Sequence, residues 1–128
     1  MVSIESMLEY CVKKAREGDS GGKIRVYSVA TDKRGNYLGE AMNTYTLTHP
    51  TMKKWSLRCG QHGKEYLHSE VRTILSAIKS NKIIDKLYIA RVNKNGDSLP
   101  SKPCVICQMF IEDYERLYNT RIKIICQN

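Results

Sequence analysis

A chain of 128 residues, 41% apolar and 27% charged, can bury a core without disulfide staples and has the mix of an ordinary globular protein. Lysine and arginine outnumber aspartate and glutamate 21 to 13; the net charge of +8 suits a polyanionic or phosphorylated partner as well as a solvated basic surface. No stretch is long and apolar enough to span a bilayer, Met1–Cys11 lacks the basic start and apolar run of a secretory leader, and five cysteines is an odd count for a disulfide framework. One cytoplasmic domain over residues 1–128, with no membrane association, is expected.

Ser3 caps a predicted first helix, with Ile4, Met7, Leu8, Cys11, Val12 and Ala15 on one face and Gly18 as its stop. Glu5 lies in its first turn and Lys13, Lys14 and Arg16 in its last, each complementing the helix dipole. Asp19–Gly22 reads as loop. Ile24–Ala30 and Tyr37–Met42 are predicted strands, joined into a hairpin by the turn Arg34-Gly35-Asn36. A long connection from Asn43 to Leu67 follows. It carries Lys53, Lys54, Arg58 and Lys64 around Trp55, which suits phosphate contact with base stacking and also suits a solvated lid.

Val71, Ile74, Leu75 and Ile78 recur at i, i+3, i+4 and i+7, so a helix is predicted over roughly Ser69–Ser80. Lys86–Val92 is a third strand, closed by the turn Asn93–Asp97. A helix over Cys104–Tyr118 follows, with Phe110, Ile111, Tyr114 and Leu117 as its apolar stripe, and Arg121–Cys126 is a fourth strand. The order α-β-β-α-β-α-β places the chain in the α/β class, a sheet with helices packed on its faces. Because the chain stops after that strand, one sheet edge is expected to be exposed or paired with a neighbour.

The chemistry concentrates at the starts of the two later helices. His68 and Glu70 lie two residues apart where backbone N–H groups are unpaired and the helix dipole is positive. Cys104 and Cys107, behind Pro103, are three apart, so both thiolates reach one side and can hold one ion. Proline suits that spot because the first turn asks for no N–H partner. One imidazole and two thiolates form a zinc-type set, and three protein ligands leave a fourth position for water.

This pair of motifs, His-x-Glu followed by Pro-Cys-x-x-Cys, resembles the signature of the zinc-dependent cytidine and adenosine deaminases. The match is confined to His68, Glu70, Pro103, Cys104 and Cys107, while the order of elements agrees over most of the chain. The resemblance implies a cytidine-deaminase-like three-layer fold: a mixed sheet, hairpin plus parallel strands, flanked by helices whose starts meet at the ion. It also implies Zn2+ on His68, Cys104 and Cys107, zinc-bound hydroxide attacking C4 of cytosine (or C6 of adenine), and Glu70 as the proton shuttle. The carbonyl of Ser69 and a backbone N–H near Cys104, after Pro103, would contact the base. Asn43 would hold the sugar, although an asparagine there is also an ordinary turn residue. Thr48-His49-Pro50 looks like a loop feature of small phage-encoded deaminases.

The alternative for the metal is a closed structural site, with Cys59 or His62 as fourth ligand. Such a site gives no reason for Glu70. Cys11 on an apolar helix face and Cys126 in a strand read as core. The function expected is a hydrolytic deaminase of nucleotide metabolism that acts on a cytosine nucleoside or nucleotide. Two alternatives stay open: deamination of cytosine or adenine in single-stranded DNA or RNA, which the charge favours, and a non-catalytic zinc-binding module. Many small-molecule deaminases of the family complete their pockets across subunits, so a homo-oligomer is expected.

Overall fold

A computed structural model of the chain describes residues 3–18, 24–44, 50–58 and 68–126; the side chains of Thr51, Trp55 and Ser56 lie outside the description. The elements are α1 (Ile4–Glu17), β1 (Arg25–Thr31), β2 (Tyr37–Met42), α2 (Pro50–Arg58), α3 (Ser69–Ile78), β3 (Lys86–Val92), β4 (Ser98–Leu99), α4 (Val105–Tyr118) and β5 (Lys123–Cys126). The predicted order is present with two additions. The connection after Asn43 contains α2, opened by Pro50 in its first turn and anchored by the wholly buried Met52. The turn after β3 leads into the short strand β4.

β1 runs between β2 and β3, antiparallel to both, with Val29 opposite Glu40 on one side and Tyr88 on the other. The far edge of β3 is shared: β4 pairs antiparallel with Arg91 and Val92, and β5 pairs parallel with Lys86–Ile89. Local chemistry makes the two tight turns. Asp32 Oδ1 accepts from the N–H groups of Arg34 and Asn36 while Gly35 takes a positive φ of 83°. Asn93 Oδ1 does the same for Asn95 and Asp97, with Gly96 at φ 85°.

Strand alternation divides the interior into two layers. Tyr27, Val29, Tyr88, Ala90 and Val92 face α1, which buries Cys11 and Ala15 against them. Ala30, Leu87 and Ile89 face the opposite way, toward Val71, Ile74 and Ala77 of α3 and Ile106, Phe110 and Tyr114 of α4. The arrangement is three-layered, helix on sheet on helices. α1 is capped as expected, Ser6 N–H donating to Ser3 Oγ and Gly18 N–H to Lys14 O.

Two apolar stripes extend beyond the core. Ile4 is 47% exposed and Leu117 72% exposed, so the first turn of α1 and the last of α4 overrun the layers they pack on. On α4 the last inward residue is Tyr114, whose hydroxyl accepts from Ile84 N–H and whose ring stacks on Tyr118 at 4.4 Å. Among the described residues no helix is long and apolar enough to cross a membrane.

Candidate functional site

α3 and α4 both pack on one face of the sheet, and their N-termini converge. Each begins with an N-cap residue in extended backbone, His68 for α3 and Cys104 for α4, and neither side chain caps its own helix. Cys104 therefore lies just outside the helix predicted to contain it, and the two cysteines meet by bracketing the first turn. Cys104 Sγ is 3.4 Å and Cys107 Sγ 3.3 Å from His68 Nδ1. The three donor atoms all lie within 4.8 Å of one another.

That spacing fits a tetrahedral ion. Zn–N of about 2.0–2.1 Å and Zn–S of about 2.3 Å, at tetrahedral angles, set nitrogen and sulfur about 3.6 Å apart. The set mixes imidazole nitrogen with thiolate sulfur, the donors zinc prefers. The thiols are already unequal. The hydrogen bond from Cys107, and then that of the His68 ring, hold Cys104 down to about 4. The same bond in reverse, together with burial and the nearby Glu70 carboxylate, keeps the proton on Cys107 and pushes that thiol well up. One of the three candidate donors is thus poised as thiolate, the form that binds metal.

Glu70, in the first turn of α3, is nearly buried and is not among the converging donors. Its Oε1 accepts a 2.8 Å hydrogen bond from Ser69 Oγ. Asn43, His68, Ser69, Glu70 and Cys104 line one cavity of about 280 Å³. Pro103 is buried beside it, its carbonyl accepting from Gln108 Nε2 at 2.8 Å. Asn43 continues the β1–β2 hairpin: its N–H donates to Val26 O, its Oδ1 accepts from Val26 N–H at 2.8 Å, and its Nδ2 donates to Ile24 O at 3.4 Å. The side chain that reaches the cavity wall is therefore bonded to the strand behind it.

Lys53, Lys54 and Arg58 stand exposed on α2 and do not line this cavity. Cys59, His62, Lys64, Thr48 and His49 lie outside the described residues, as does the side chain of Trp55. The cavity adds cations that the sequence reading passed over, Arg91 and Lys102, with Ser101 between strand and helix. Arg91 had a signal: it continues the Leu87–Ile89 alternation on the face that carries α3 and α4. Ser101 is buried, its hydroxyl donating to Ile89 O at 2.9 Å.

No family model matches the sequence, and no curated protein matches it. Among solved structures the chain is similar to a point mutant of the cytidine deaminase from Mycobacterium tuberculosis, at 16% identity over 89% of this chain and 80% of that one, with a TM-score of 0.54. It is similar to the cytidine deaminase from Mycobacterium leprae, at 17% identity over 89% and 82%, with a TM-score of 0.54. A further structure of the Mycobacterium tuberculosis cytidine deaminase matches at 18% identity over 84% and 75%, with a TM-score of 0.50. The fold is cytidine-deaminase-like, and a His/Cys/Cys group in it could hold a metal.

Proposed function

We propose that this protein is a zinc-dependent hydrolytic deaminase that converts cytosine to uracil in a nucleoside or nucleotide. One observation carries the reading: a His/Cys/Cys donor set converges at two helix starts, beside a cavity lined by His68, Cys104 and a separate carboxylate, Glu70. A purely structural metal site has no use for the carboxylate. His68, Cys104 and Cys107 would hold the ion, and bound zinc supplies water acidified to a pKa of about 7.

The chain's own groups manage the protons and the pose. Glu70 takes a proton from the attacking water and delivers it to the ring nitrogen beside C4. It then takes the remaining hydroxyl proton of the C4 adduct and passes it to the amino group, so that ammonia leaves C4 and the water oxygen becomes the carbonyl of uracil. The Ser69 carbonyl accepts from the exocyclic amino group, and the backbone after Pro103 abuts the base. Asn43, which lines the cavity, would bond the sugar by giving up its long contact to Ile24 O. A volume of about 280 Å³, just below the ~300–1,000 Å³ of small-molecule sites, suits a single nucleoside unit.

The charge of +8 and the exposed Lys53, Lys54 and Arg58 on α2 favour the second reading, a base within single-stranded nucleic acid. A mass-spectrometric panel of deoxycytidine, its mono- and triphosphate, adenosine, single-stranded DNA and tRNA separates the two. Turnover confined to the small cytosine substrates is expected. Turnover confined to the polymers would replace the first reading with the second.

A further inference from the structure

We infer that Ser69 and Ser28 are positioning residues that aim the Glu70 carboxylate, a role that rests on the deaminase reading above. Ser28 lies on β1, the strand paired on both sides, and Ser69 and Thr73 lie on α3. All three are completely buried. Thr73 Oγ1 is 2.7 Å from Ser28 Oγ, Ser28 Oγ is 3.2 Å from Ser69 Oγ, and Ser69 Oγ is 2.8 Å from Glu70 Oε1.

Counting protons gives the row a direction. Ser69 Oγ donates to Glu70 Oε1, and a hydroxyl has one proton to give. Ser69 Oγ must then accept, and Ser28 donates to it. Ser28 Oγ in turn accepts from Thr73, whose 3.2 Å contact to Ser28 O is the longer of its two. The donations from Ser28 to Ser69 and from Ser69 to Glu70 both point toward the carboxylate, and each bond polarises the next. The last ties one carboxylate oxygen, through Ser69 and Ser28, to the central strand of the sheet.

Folding alone does not call for this row. Paired buried hydroxyls replaced together by apolar groups of like shape are nearly neutral for stability. A glutamate side chain has several rotatable bonds, and misplacing a catalytic group by about 1 Å can cost on the order of 100-fold in rate. A carboxylate that must both take and give a proton gains from being held.

The test uses Ser69→Ala, with Ser28→Ala as a second variant acting through Ser69. Both are expected to retain wild-type zinc content and to lose roughly ten-fold or more in kcat, with KM changed less than about two-fold. In a Glu70→Gln background Ser69→Ala should cost nothing further, because its only effect passes through the carboxylate. An independent readout needs no turnover. In metal-free protein labelled with 13C-glutamate, the carboxyl resonance that Glu70→Gln removes should shift in Ser69→Ala while the others stay in place. Wild-type kcat in Ser69→Ala with an unmoved resonance, beside an inactive Glu70→Gln, would overturn the positioning role and leave the deaminase reading standing. A wild type inactive across the substrate panel, or a fully active Glu70→Gln, overturns both.

Discussion

His68 and Cys104 occupy the same position in two different helices. Each is an N-cap whose side chain does not cap, and their donor atoms lie 3.4 Å apart. An N-cap residue projects from the helix axis at the end where the dipole is positive and N–H groups lack intrahelical partners. Two such ends facing each other favour thiolate over thiol, which agrees in direction with the lowered Cys104. The convergence of the three candidate donors is therefore a consequence of where α3 and α4 begin.

Glu70→Gln is expected to keep fold and metal while losing about 10²–10⁴-fold in turnover, toward the upper end because one group serves several transfers. Glutamine preserves the shape and can still hydrogen-bond, but it cannot cycle a proton. His68→Ala is expected to differ by losing metal and stability together, since ligation is coupled to folding. Steady-state kinetics beside elemental analysis of both variants checks the pair. Near-normal deamination by Glu70→Gln would reduce the carboxylate to a helix-start charge.

Zinc-replete expression is expected to yield one zinc per chain, and stripping it with a chelator should lower the thermal midpoint. Free ligand at about 1,000 times Kd stabilises by roughly 4 kcal/mol, so re-addition should restore the midpoint in a concentration-dependent way. Calorimetry across a zinc titration measures this. A midpoint insensitive to zinc would contradict the site.

Cysteine reactivity gives a pH test. With its thiol lowered to about 4, Cys104 in the metal-free protein is thiolate at all pH values above that and loses reactivity only as pH falls through it. It is also exposed. Iodoacetamide at about pH 6 should therefore label Cys104, whereas an ordinary thiol near 8.5 is almost wholly protonated there. Cys11, raised to about 12 by burial, should stay unlabelled, and zinc should protect Cys104. Peptide mapping reads all three, and labelling of Cys11 before Cys104 would refute the ordering.

Gly39 on β2 sits where α3 crosses the sheet. A Cβ there would stand 3.2 Å from Ala77 N and from both Cβ and Oγ of Ser76. Ala77 and Ser76 lie in the last turn of α3, so that turn must shift to admit a Cβ. Gly39→Ala is expected to cost roughly 1–3 kcal/mol, as overpacking does. Urea denaturation measures it, and an unchanged midpoint would mean that the helix is free to shift.

The two helix starts, the candidate donor residues beside them and the hairpin were legible in the sequence because each depends on neighbours within one turn. Ligand spacing, a 3.6-residue apolar period and turn chemistry at Gly35 are all local. α2 was not legible, since of its side chains described here only Met52 is buried while Lys53, Lys54, Leu57 and Arg58 are exposed, a weak periodic signal. β4 is two residues long and exists through its pairing with β3. A period tells which way a side chain points around its own axis, not what stands opposite. Ile4 and Leu117 kept the right face and ran off the end of the core. Arg91 kept the right face and reached the cavity. Ser28 and Thr73, 45 positions apart in the chain, meet only once α3 lies across β1. That meeting is set by non-local packing, which composition and spacing along a chain do not encode.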